Sequence, residues 1–144
     1  MGAEVVGLTR YLKKGEPGIS LSEMNLLKGL GVEGDFHQGG ERQVSLLSAE
    51  ARHWMEIEPV QGLCFRRFRE NILLEGLPMD SLEPGGLLSM GSAVLRISGR
   101  RKECFKECAR FSKGLSCRLS RCALFAAVDQ SGTVRIHDCV AIQA

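Results

Sequence analysis

Apolar residues recur along this chain in short runs separated by glycine- and proline-containing breaks. In "AVLRISG" Ala93, Leu95 and Ile97 alternate with Val94, Arg96 and Ser98, the period of a strand with one buried face. "TVRIHDCVAI" alternates in the same way, with Val134, Ile136, Asp138, Val140 and Ile142 set against Arg135, His137, Cys139 and Ala141. "CALFAAV" is an unbroken apolar run, as expected of a strand covered on both faces. "EVVGLTR" (residues 4–10), "RQVSLLS" (42–48), "RENILLEG" (69–76) and "LLSMG" add further strand-like stretches.

One stretch has the longer period of a helix. Ser48 is a suitable N-cap for a helix over residues 49–57, with Glu50 in the favourable first turn and Pro59 marking the end. Ala51, Trp54 and Met55 fall on its buried face. Between the first two predicted strands lie Gly15, Gly18, Gly29, Gly31, Gly34, Gly39 and Gly40, which predict looping backbone rather than a long helix. Turns are expected at Pro84–Gly86 and at "DQSGT". The pattern predicts an all-β fold with one or two short helices, a sandwich or barrel, as a single domain over residues 1–144.

Composition supports a folded domain. The chain has 144 residues, enough to bury a real core, and 44% apolar with 25% charged residues is ordinary for a soluble protein. A net charge of +2 argues against a general nucleic-acid binder. No apolar run approaches the roughly 20 residues needed to cross a bilayer, and the N-terminal residues do not read as a secretory signal. Met-Gly at the start lacks the later Ser or Thr of a myristoylation motif, since Val6 stands there. A cytoplasmic location is therefore expected, where clustered thiols stay reduced and serve more often in metal binding or catalysis than in disulfides.

Four of six cysteines crowd into residues 104–122: Cys104, Cys108, Cys117 and Cys122. Three and four intervening residues within the pairs fit a zinc site loosely, and a soft thiolate cluster also suits iron–sulfur or molybdenum. The plainer alternative is that cysteine is a small, readily buried hydrophobe, an account that suits Cys64 and Cys139 best. Arg100, Arg101, Lys102, Lys106, Arg110, Lys113, Arg118 and Arg121 surround the cluster. Such charge is often only a solvated face, but beside thiols it promotes the thiolate and attracts phosphate.

Two further stretches carry candidate chemistry. In "GVEGDFHQGGERQVSLLS" glycines flank Asp35 and His37 just before a strand; each could serve a site or simply fix a turn. In "RRFRENI" Arg66, Arg67 and Arg69 precede Glu70 and Asn71, a fork for carboxylate or phosphate, or surface charge on a strand edge. Phosphate-cradling loops, paired-histidine zinc motifs and serine nucleophile elbows do not occur.

These stretches, taken in order with "L-x-x-G-x-L-x-x-x-G-x-A-V-L-x-I" (residues 82–97), "KEC" and the closing "HDCV", resemble a MOSC domain, the carboxy-terminal domain of molybdenum-cofactor sulfurases. The resemblance runs from about Val32 to the C-terminus and is to the small stand-alone bacterial type. It implies a closed or partly open β-barrel and a molybdenum–pyranopterin cofactor, or handling of sulfur destined for it. "LSRCALFAAVDQSGT" is similar to the context in which the amidoxime-reducing branch uses a cysteine as molybdenum ligand, which points to Cys122. "KECFKEC" is similar to a motif of the small bacterial members, which points to Cys104 and Cys108. At "HDCV" His137 stands where the family commonly has glycine, and "FRRFREN" carries more arginine than relatives do.

The resemblance implies an oxidoreductase acting on N-hydroxylated or N-oxygenated small molecules. Cys122 or Cys104 would ligate molybdenum, while Arg42, Arg69, Lys102 and Arg121 would hold the pyranopterin phosphate. Asp35, His37 and Asn71 would bind the pterin edge or shape the pocket. Electrons would come from a donor protein, because the sequence carries no flavin or haem motif. Two alternatives stand beside it: a persulfide carrier or cofactor-handling protein that partners with cofactor biosynthesis, and a β domain stapled by zinc.

Overall fold

The computed structural model describes residues 2–36, 38–62, 68–100, 108–115 and 122–143. Its strands, in chain order, are β1 (Ala3–Arg10), β2 (Ile19–Ser20), β3 (Glu23–Leu27), β4 (Gly31–Val32), β5 (Val44–Ser48), β6 (Ile72–Glu75), β7 (Leu87–Met90), β8 (Ala93–Arg100), β9 (Ala123–Gln130), β10 (Gly132–Arg135) and β11 (Cys139–Gln143). Helix α1 (Ala49–Ile57) follows β5, and the four-residue α2 (Ala109–Ser112) precedes β9.

Seven of the described strands close on themselves in the order β1, β11, β7, β8, β9, β5, β6 and back to β1. All pairs are antiparallel except β5 with β6, which run parallel because α1 lies in the connection between them. Closure leaves no unpaired edge in the barrel. Alternation decides which side chains enter it. Leu46, Ile72, Leu74, Leu88, Leu95, Ile97 and Leu124 are fully buried inside, at about 1.5–3 kcal/mol of burial each. Leu47 and Ala123 face the other way and meet Ala51 and Met55 of α1, with Phe68 completing this smaller outer core. Both faces of β5 and β9 are thus covered, as the unbroken "CALFAAV" run predicts.

α1 forms where the pattern predicts it. Ser48 is its N-cap, with an extended backbone and a side-chain oxygen accepting from the Ala51 N–H. Glu50 occupies the first turn, Ala51 and Met55 are buried, and Trp54 is half-buried against the same cluster.

Four expectations need correction. The glycine-rich stretch is not only loop: β3, β4 and β10 form a second, three-stranded sheet, because Met24, Leu26, Val32 and Val134 find the barrel core. The alternating "TVRIHDCVAI" is two strands, β10 and β11, and Ile142 is 52% exposed. Between the strands His137 takes φ 74°, where its N–H donates to the Val5 carbonyl at 2.7 Å. That left-handed backbone favours glycine, and it lets the chain turn without interrupting the apolar alternation. Cys139 is exposed rather than core, since it lies on the outward face of β11; Cys64 lies outside the described residues. Finally, β5 and β6 begin at Val44 and Ile72, so Arg42, Arg69 and Asn71 precede the strands in which they were expected. Among the described residues no helix is long and apolar enough to cross a membrane.

Candidate functional site

Cys122 lies at the entrance to β9. The antiparallel register sets Ala123 opposite Leu47, so Cys122 comes beside Ser48, the last residue of β5 and the cap of α1. The loop after β6 approaches from the other side. Gly76 turns with φ 81°, and a 3-10 turn over Met79–Ser81 follows, held by the Ser81 N–H donating to the Pro78 carbonyl at 3.1 Å. Met79 and Leu82 anchor this loop by packing into the barrel core. Between these elements opens a cavity of about 310 Å³ lined by Ser48, Glu50, Leu77, Pro78, Met79, Asp80 and Cys122. Cys122 is half-buried, while Glu50 and Asp80 are exposed carboxylates. The cavity therefore offers one soft ligand or nucleophile, a capped helix start that favours negative charge, and two anionic groups that favour positive charge.

The leading ends of β5 and β6 are built differently. Asn71 is 2% exposed and its amide clips three segments together. Its Oδ1 accepts from the Ser45 N–H at 3.0 Å, and its Nδ2 donates to the Thr9 carbonyl at 3.1 Å and to Asp35 Oδ2 at 2.9 Å. The same Asp35 oxygen accepts from the Tyr11 N–H at 2.9 Å, and Asp35 is 4% exposed. Tyr11 donates its hydroxyl to the Glu70 carbonyl at 3.0 Å. Burial foremost, then the Glu70 carboxylate, pushes the Tyr11 phenol up to about 12.

The structure thus brings Asp35 and Asn71 together, but in contact with each other and the backbone. Arg69 lies over the Tyr11 ring at 5.5 Å and donates to the Glu16 carbonyl. The Arg42 guanidinium stands 4.5 Å from the Phe125 ring centre. Cys108 is buried at the approach to α2, whose Arg110 joins it to the far end of α1 through Glu58 at 2.7 Å and the Trp54 ring at 4.8 Å. Cys108 does not line the Cys122 cavity. His37, Lys102, Cys104 and Arg121 lie outside the described residues, as do Arg66, Arg67 and Cys117. Among the described residues no three histidine, cysteine or acidic side chains group to hold a metal ion.

Sequence reasoning missed most of the cavity wall. Ser48 and Glu50 were legible only as helix-capping residues, and Leu77, Pro78, Met79 and Asp80 carry no chemical motif. A glycine and a proline directly after a strand, in "EGLPMD", are the signal that a shaped loop leaves the sheet there. Arg10 was also missed. Its Nε is buried without a hydrogen-bond partner among the described residues, beside the tight turn at Gly34.

The family model described as MOSC domain matches residues 33–141. Among solved structures, the chain is similar to the YuaD protein from Bacillus subtilis, with a TM-score of 0.68 and 19% identity over 97% of this chain and 94% of that one. It is similar to YiiM from Escherichia coli at a TM-score of 0.63 and 21% identity, covering 98% of this chain and 70% of that one. YiiM from Geobacillus stearothermophilus matches at 0.61 and 20%, covering 99% and 73%. At such identities these likenesses concern the fold. No curated protein matches the chain in sequence.

Proposed function

This chain belongs to the MOSC domain family, which is associated with molybdenum-cofactor binding, and from that premise we propose that it holds a molybdenum–pyranopterin cofactor through Cys122. In this reading it acts as an oxidoreductase on N-hydroxylated or related N-oxygenated compounds. The observation that carries it is the half-buried Cys122 thiol opening into the 310 Å³ cavity beside the start of α1.

The donor set fits the metal end of such a group, because a thiolate is a suitable ligand for a soft metal. The cavity falls at the lower end of the range usual for small-molecule sites, about 300–1,000 Å³. When bound, the cofactor supplies the redox chemistry. The chain's own residues would do the rest. Cys122 would fix the metal, and Ser48 keeps a hydroxyl proton to donate, since its oxygen only accepts from Ala51. Leu77, Pro78 and Met79 would exclude water on one side. Glu50 and Asp80 would favour a substrate carrying positive charge or hydrogen-bond donors. For the phosphate, Lys102, two residues before Cys104, and Arg121, next to Cys122, are better candidates than Arg42 and Arg69, whose guanidinium groups lie against Phe125 and Tyr11.

The solvent-open cavity also suits a carrier in which Cys122 bears a persulfide, and one preparation separates the two readings. The protein is purified from a host that makes molybdenum cofactor, then assayed for metals, pterin and cyanide-labile sulfur. Stoichiometric molybdenum and pterin are expected, falling more than ~10-fold in Cys122→Ser, since loss of even an outer-shell partner costs that much. Labile sulfur without molybdenum would replace this reading with the carrier. Retention of molybdenum by Cys122→Ser but not by Cys104→Ser would move the ligand.

A further inference from the structure

A second cysteine site lies away from the Cys122 cavity. Cys139 opens β11 directly opposite Glu4 of β1 in the antiparallel register, so both side chains project from the same face. His137 stands two residues earlier, on the turn into β11, and its Nδ1 is 3.3 Å from Glu4 Oε2. Cys139, His137 and Glu4, with Gly2, Ala3 and Val140, line one cavity of about 350 Å³.

The turn that presents the imidazole is fixed by the backbone. His137 has φ 74° and donates its N–H to Val5, while the Asp138 N–H donates to the Arg135 carbonyl at 3.1 Å. The Asp138 carboxylate accepts from the Arg135 N–H at 2.7 Å. A non-glycine residue in this conformation is strained, and such positions cluster at functional sites. Cys139 is an exposed thiol, and none of these groups takes part in the Cys122 site.

We propose that Cys139 is a thiol–disulfide exchange site for small disulfides, with His137 as proton acceptor and Glu4 as the residue that orients the imidazole. Glu4, accepting from Nδ1–H, leaves Nε2 with its lone pair. His137 removes the thiol proton, and the Cys139 sulfur then attacks one sulfur of the disulfide. A new S–S bond to Cys139 forms as the original S–S bond breaks. The departing thiolate takes the proton back from His137 and leaves as a small thiol. The disulfide is the oxidant; no metal and no further reactant enters. The open cavity gives room for the departing half. The proposal does not depend on molybdenum at Cys122.

The test uses the full-length reduced chain and oxidised glutathione, with adduct formation followed by intact mass and located by peptide mapping. Cys139 should be modified first, and Cys139→Ser should abolish that phase. His137→Asn keeps a residue that tolerates left-handed backbone; it should slow the phase by about 10-fold, the modest end of general-base assistance because water competes at an exposed site. Glu4→Gln should slow it less, and added imidazole should restore the rate in His137→Asn. If His137→Asn lowers the thermal midpoint, His137→Gly takes its place in the same comparison. A wild-type rate in the folded His137 variant, or earlier modification of Cys122 or Cys108, would overturn the proposal.

Discussion

The two ends of β5 carry polar residues of similar kinds and use them in opposite ways. At the leading end, Ser45, Asn71, Asp35, Thr9 and Tyr11 satisfy one another within the fold. At the trailing end, Ser48, Glu50, Asp80 and Cys122 face an open cavity. Ser45 and Ser48 are only about 10 Å apart along the strand. What separates a structural cluster from a candidate site is therefore neither residue type nor position in the chain. What differs is whether the side chains are turned to one another and the backbone or line a cavity.

That contrast fails most visibly if the leading end proves tolerant. Asn71→Ala leaves the Ser45 N–H, the Thr9 carbonyl and the Asp35 carboxylate without their buried partner. At about 1–3 kcal/mol for an unsatisfied buried group, with some relaxation, stability should fall by about 3 kcal/mol. Denaturant titration of the purified protein measures it, and a loss under about 1 kcal/mol, below the cost of one unsatisfied group, would mean that the amide is free for a ligand. A smaller effect is expected at the trailing end. Ser48→Ala removes the cap of α1 and should cost about 1 kcal/mol, within the usual range for such caps. The same variant tests the cavity, because its molybdenum content should fall by more than its stability explains. Equal molybdenum retention would make Ser48 a capping residue only.

How much of this was legible depended on the range of the interaction. α1 was readable from Ser48 to Pro59 because capping and periodicity are local, and β8 was readable because Ala93, Leu95 and Ile97 all enter the core. The strand pattern left sandwich and barrel open, because Ala3 pairs with Val140 across nearly the whole chain; the closed or partly open barrel came from the family resemblance, and the barrel is closed. The break at His137 was hidden for another reason. A histidine held at φ 74° does what a glycine would do, and the apolar alternation continues through it. At the candidate site, the thiol of Cys122 was legible and its surroundings were not, because Leu77–Asp80 reach it through the fold alone. Asp35 and Asn71 show the converse. Polar residues on constrained backbone are visible in a sequence, but whether their partner is a ligand or the chain itself is decided by the fold.

Tyr11 gives the smallest and most selective test of the closed end. Its hydroxyl bond to the Glu70 carbonyl adds about 0.5 kcal/mol at neutral pH, the low end for a hydrogen bond whose acceptor water can reach. The larger signature lies in alkali. Burial, helped by the Glu70 carboxylate and opposed by Arg69 and Arg52, raises the folded phenol from 10.0 to about 12. The unfolded chain therefore loses this proton first. The stabilisation is fully present below pH 10 and drains away as pH rises from about 10 to about 12. In Tyr11→Phe that component of the alkaline slope should vanish, so the small wild-type advantage at neutral pH should reverse and Tyr11→Phe should be the more stable protein by about pH 12. Tyr11 is the only tyrosine in the chain, so tyrosinate absorbance of the folded protein reports it alone. A midpoint near 10 would place the ring in water, and with it the Asp35–Asn71 cluster would lose its claim to be the closed counterpart of the Cys122 cavity.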